Sequence, residues 1–105
     1  MAMVSQTLTA NGKTDGYQIG PEDTVLILND DIGGGSAAID VAEADTDALY
    51  EPMLGPDGSA LAITVTGAIG LNMLPEGMWV RVNLTSSTSP NLVCKFLRRS
   101  DLVTD

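Results

Sequence analysis

Two stretches of this chain alternate apolar and polar side chains with period two, and that pattern restricts the fold more than any other feature. In residues 59–66, Leu61, Ile63 and Val65 alternate with Ala60, Ala62, Thr64 and Thr66. In residues 78–85, Met78, Val80, Val82 and Leu84 take one side while Trp79, Arg81, Asn83 and Thr85 take the other. Successive side chains of a strand point to opposite faces, so both stretches read as strands with one face on a core.

The same reading extends along the chain. Residues 37–41 place Ile39 and Val41 inward and Ala38 and Asp40 outward, and residues 91–97 set Leu92, Cys94 and Phe96 against Val93, Lys95 and Leu97. Residues 24–28, Thr-Val-Leu-Ile-Leu, are apolar on both faces, which suits a strand covered on both sides, inside a sandwich or at a subunit contact. Weaker strand patterns lie at 4–9, 49–54 and 68–74; Pro52 lacks a ladder donor and belongs on an edge or bulge. Ala and Glu in residues 41–50 favour a helix, but Asp45, Thr46 and Asp47 oppose it, so a loop with at most one turn is expected.

Turn signals separate these runs at Asn11-Gly12, Gly33-Gly34-Gly35, Gly55-Pro56-Asp57-Gly58, Pro75-Glu76-Gly77 and Ser89-Pro90-Asn91, mostly about ten residues apart. The fold expected is all-β, an antiparallel two-sheet β-sandwich of seven to eight short strands, with a jelly roll among the topologies that fit. At 105 residues the chain has the length of one domain. Residues 17–105 form that sandwich and residues 1–16 a polar N-terminal arm or edge strand.

Charge is unevenly placed. The net charge is −9; twelve of the fourteen acids lie between Lys13 and Arg81, an interval without a basic residue, and Arg81, Lys95, Arg98 and Arg99 fall in the last quarter. Such a chain repels phosphate backbones, so nucleic acid is not an expected partner. The acids read as a solvated face, or as one half of a contact between an acidic patch and the basic C-terminal quarter of a neighbouring subunit. No run approaches the ~20 apolar residues of a membrane span. The start MAMVSQTLTANGKTDG has neither a charged n-region nor an apolar h-region, so no secretory signal is expected.

The chain contains no histidine. It therefore lacks the commonest general base, the usual triad partner and the commonest zinc ligand. Cys94, in phase with Leu92 and Phe96, reads as a buried, inert thiol. Glu43, Asp45, Asp47 and Glu51 lack the glycine and helical frame of an EF-hand loop and read as a solvated loop, with calcium at a subunit contact as the alternative. The three glycines at 33–35 precede neither a lysine nor a helix and read as a flexible strand connection, not a phosphate loop. No catalytic, cofactor-binding or metal-binding residue is expected, and the chain reads as a non-enzyme.

Trp79 is the residue whose expected position is most at odds with its chemistry. Strand parity sends it outward beside Arg81 and Asn83, and tryptophan next to arginine on a sheet face is the composition of an interface hot spot, the alternative being that both faces are covered within the domain or that Trp79 caps one end of the core. With Arg98 and Arg99 these are the expected partner contacts. On that view Arg81→Glu spares the fold and weakens assembly.

The order of features from Leu26 to Leu97 is also familiar: GGGSAAIDVA after an apolar strand, an acidic loop, then GPDGSALAITVTGAIGLNMLPEGMWVRVNLTSSTSPNLVCKFL. It resembles the small β-sandwich virion proteins of tailed bacteriophages. The matching positions are Gly34 and Gly35, Pro56-Asp57-Gly58, Gly67 with Leu74-Pro75-Glu76-Gly77, and Val80-Arg81-Val82. The group often carries a tryptophan-rich hairpin where this chain has AEADTDALY at 42–50. The resemblance implies a capsid decoration, or cement, protein. Such a protein is made in the host cytoplasm, sits on the outer capsid surface and bridges neighbouring copies of the major capsid protein as a homo-oligomer, a dimer or trimer. Within the virion, a tail or neck adaptor fits the same features. A carbohydrate-binding or tail-attachment module meeting a host surface, with Trp79 as its stacking platform, is the alternative.

Overall fold

A computed structural model describes residues 4–71 and 73–98. Its strands are β1 (Val4–Leu8), β2 (Gly12–Lys13), β3 (Tyr17–Gln18), β4 (Thr24–Asp31), β5 (Ser36–Ala42), β6 (Glu51–Pro52), β7 (Gly67–Gly70), β8 (Trp79–Thr85) and β9 (Asn91–Arg98). They form two antiparallel sheets. Sheet A has the order β1-β9-β4-β7; sheet B has the order β2-β8-β5-β6, with β3 also paired to β8.

Because β2 and β3 pair with the same strand, they act as one strand interrupted at residues 14–16. The pairing then runs from the ends inward: β1 with β9, β2/β3 with β8, β4 with β7 and β5 with β6. A chain that pairs as one long hairpin and rolls so that successive pairs alternate between sheets is a jelly roll. The pairings β4–β9 and β5–β8 close the two sheets of that roll.

The interruption is bridged by Thr14. Its backbone N–H donates to the Val82 carbonyl at 2.9 Å, and its Oγ1 accepts from the Val82 N–H at 3.0 Å. A side chain thus completes the ladder where the backbone leaves it, so no polar group of Val82 is stranded in the interior.

The two sheets bury the faces that alternation assigns to them. Leu26 and Leu28 from β4 and Leu92, Cys94 and Phe96 from β9 meet Ala37 and Ile39 from β5 and Val80, Val82 and Leu84 from β8. The Tyr17 ring stacks on Phe96 with centroids 4.8 Å apart and planes 5° from parallel, closing the core beside β3. Val41 is half-buried against this cluster.

Residues 59–66 depart from expectation. They form no strand and meet the fold through isolated bridges, Leu54 with Ala60 and Ala37 with Ile63. Ile63 exchanges both backbone bonds with Ala37 at 2.8 Å, whereas Leu61 donates to Met53 at 2.9 Å. The free edge of β5 explains the change: β6 occupies it at Asp40 and Val41, leaving only the Ala37 end for Ile63. Having to change partners midway, the segment cannot build a continuous ladder. Leu61 and Ile63 keep their inward packing, but Val65 is 71% exposed.

Other expectations hold with adjusted bounds. β6 is the outermost strand of sheet B, which accommodates Pro52. A single 3-10 turn, Asp47–Leu49, lies in the acidic loop. In the GPDG turn, Gly58 N–H donates to the Gly55 carbonyl at 3.0 Å, and the Asp57 side chain accepts from Ser59 N–H at 3.0 Å. Within the N-terminal stretch, Val4–Leu8 forms the edge strand of sheet A and Gly12–Lys13 pairs in sheet B. The glycine connection at 33–35 is also tighter than a flexible link. Thr88 N–H donates to the Gly33 carbonyl at 2.9 Å, and a Cβ on Gly35 would collide with the Thr85 carbonyl oxygen.

Candidate interaction surface

Strand register assembles the outer face of sheet B in three rows. Gln18, Trp79 and Ala42 lie side by side, then Arg81, Asp40 and Pro52, then Lys13, Asn83 and Ala38. Trp79, Arg81 and Asn83 therefore do share one outward face. Trp79 and Asn83 are half-buried, as is Arg98 at the end of β9, and Arg99 lies outside the described residues.

Arg81 is held inside the chain. The acidic loop after β5 folds back over sheet B and leaves Arg81 only 9% and Asp40 only 6% exposed. Arg81 Nε lies 3.4 Å from Asp40 Oδ2, and Nη1 donates to Asp47 Oδ1 at 2.8 Å. Its guanidinium carbon sits 3.9 Å from the Tyr50 ring centroid. Tyr50 in turn donates its hydroxyl to Asp45 at 2.8 Å, and Lys13 Nζ reaches Asp47 Oδ1 at 3.5 Å. Gly16 makes room for this arrangement, since a Cβ there would strike the Tyr50 hydroxyl and the Asp45 carboxylate.

The electrostatics follow from the packing. Asp47 is held below the ordinary carboxylate range, first by the hydrogen bond from Arg81 and then by the charge of Lys13. Tyr50 is pushed up to about 12, first by burial and then by its bond to Asp45. Two cations and two carboxylates neutralise one another beneath an aromatic ring. The arrangement pins the loop to the sheet and presents no free acid, base or nucleophile.

Placed here, Arg81 has little surface for a partner. Arg81→Glu would set a third carboxylate between Asp40 and Asp47, so the substitution attacks the fold, contrary to the expectation from sequence. Parity points both Asp40 and Arg81 outward, but their contact depends on the β5–β8 register, and Tyr50 and Asp47 arrive through the path of a loop. Of the loop's carboxylates, Asp45 turns to Tyr50 and Asp47 to Arg81, and among the described residues no three His, Cys, Asp or Glu side chains converge as a metal site.

Sheet A offers a different outer face. Val25 and Ile27 from β4 lie beside Leu97, Lys95 and Val93 from β9 in consecutive rows. All five are half-buried, and the four apolar ones do not pack against the core. An antiparallel sheet that faces water usually alternates to polar residues on that side. Strand β4 is apolar on both faces, as its sequence indicates, yet among the described residues only its inner face joins the core, the outer one staying half-buried.

Cys94 is fully buried in the core, and burial pushes its thiol up to about 11. Its sulfur is accordingly held in the unreactive thiol form. No helix among the described residues is long and apolar enough to cross a membrane.

Comparison with protein-family models, curated proteins and solved structures found no match to this chain.

Proposed function

We propose that this chain is an assembly protein that packs the outer face of sheet A against other subunits, and that it serves as a decoration protein of a tailed-phage capsid. In that role it bridges neighbouring copies of the major capsid protein from outside, as a dimer or trimer. The observation that carries the reading is the partly exposed apolar surface formed by Val25, Ile27, Val93 and Leu97 around Lys95, which stands apart from the core. Burying apolar area of this kind drives association, at about 25 cal/mol per Å² removed from water. Lys95 at its centre selects a partner that offers a carboxylate.

The virion role rests on the resemblance of residues 26–97 to small phage sandwiches, and the jelly roll suits it. Its test is cosedimentation with assembled shells and with unassembled capsid subunits. Binding to shells alone supports the bridging role, because the site then spans several copies. Failure to bind either contradicts it.

A second reading, a carbohydrate-binding or tail-attachment module, draws on Trp79 lying half-buried on the outer face of sheet B. Glycan binding that disappears in Trp79→Ala would favour it. A tail or neck adaptor belongs to the same assembly class and is separated from a decoration protein by a native mass corresponding to a larger ring.

A further inference from the structure

The strongest unassigned feature lies at the open edge of sheet A. Among the described residues strand β7 pairs with β4 on one side only, so its other side presents ladder groups to solvent. Beside it a groove of about 270 Å³ opens between the sheets, lined by Leu28 and Ile69 from one sheet and by Ile63 and Val65 from the segment that bridges to the other. The same segment borders a second hollow of about 270 Å³ that contains Asp30 and Asp31. Neither acid forms an ion pair among the described residues.

We propose that β7 is a strand-addition site for an extended basic-aliphatic segment of another protein. A strand laid along β7 directs every second side chain toward the interior of the sandwich, where the groove accepts an aliphatic group. The residues beyond it pass the Asp30–Asp31 hollow, which selects lysine or arginine. Backbone pairing supplies affinity, and the two hollows supply sequence preference. A second copy is a poor occupant, because its described basic residues, Lys13, Arg81, Lys95 and Arg98, lie in strands already paired within their own sheets. The site is separate from the outer face of sheet A and does not depend on the virion role.

The test uses the full chain and two acetylated, amidated peptides, Thr-Ile-Thr-Ile-Thr-Lys-Lys and its reverse, which cover both strand directions. Titration calorimetry and amide NMR should show one of them binding, with shifts confined to residues 63–70 and the Asp30–Asp31 turn and with slowed exchange of β7 amides. Affinity should fall at least tenfold when glutamate replaces both peptide lysines, and again in Val65→Lys, which removes an apolar lining group and repels the peptide lysines. That position is 71% exposed, so the variant keeps its fold. Absence of binding at millimolar peptide overturns the proposal. So does equal binding of the glutamate or backbone N-methylated peptide, shifts centred on another face, or self-association of the protein through β7 that Val65→Lys abolishes.

Discussion

The guanidinium carbon of Arg81 lies 3.9 Å from the centroid of the Tyr50 ring, and that contact closes the acidic loop over sheet B. Below it stands Asp40, nearly buried and 3.4 Å from Arg81 Nε. Removing one member of a buried pair strands the other in low dielectric, at a cost of about 3–5 kcal/mol. Arg81→Met, which strands Asp40, should lose that much in denaturant unfolding, and Asp40→Ala should lose less, because Arg81 keeps its bond to Asp47. The double variant Arg81→Met with Asp40→Leu should recover most of it, since no charge is left unpaired. A double variant as unstable as the sum of the singles would refute the pairing.

Thr14 and Val82 make a second, sharper test. Thr14→Val keeps shape but leaves the buried Val82 N–H without its acceptor, for a loss of about 1–3 kcal/mol. Thr14→Ser retains the oxygen and should cost much less. Equal losses would assign the effect to packing.

Alkaline pH should weaken the fold in two steps. Cys94 and Tyr50 have folded values raised from 9.0 to about 11 and from 10.0 to about 12, so the native state holds both protons more tightly than the unfolded chain. Their contribution is complete below pH 9 and declines as pH rises through 11 and 12. Denaturation midpoints between pH 8 and 12 should fall accordingly, and Cys94→Ala should remove the lower step. Asp47 works in the opposite direction: its lowered value contributes stability above the ordinary 3.8 that is lost as pH falls below it. In Asp47→Asn the acid-side decline should shrink.

How much of this was legible in the sequence differs by element. Strands β5, β8 and β9 announce themselves because alternation marks the face each buries, whereas β4, apolar on both faces, reads as a strand without showing which face joins the core. Strands β2 and β3 do not, because two residues carry no period and Thr14 completes the pairing with its side chain. Residues 59–66 alternate as a strand should, yet the pairing edge they need is shared with β6. Local pattern specifies a preference, and available partners decide the outcome. The Arg81 cluster was hidden for a related reason. Its members come from β2, β5, β8 and a loop, and only tertiary register brings Lys13, Asp40, Asp47, Tyr50 and Arg81 together.

Parity on the two sheets also separates folding from assembly. Val82 is fully buried, so Val82→Asp places an unpaired charge in the core and should abolish cooperative unfolding. Ile27 belongs to the outer face of sheet A, so Ile27→Glu should leave unfolding close to wild type. A soluble, cooperative Val82→Asp variant would overturn the strand parity.

Sedimentation equilibrium of the wild type beside Ile27→Glu, at matched concentrations up to about a millimolar, bears most directly on assembly through sheet A. The wild type should be a dimer or trimer and Ile27→Glu a folded monomer. A wild type that remains monomeric, or an oligomer that survives Ile27→Glu unchanged, would contradict assembly through this face.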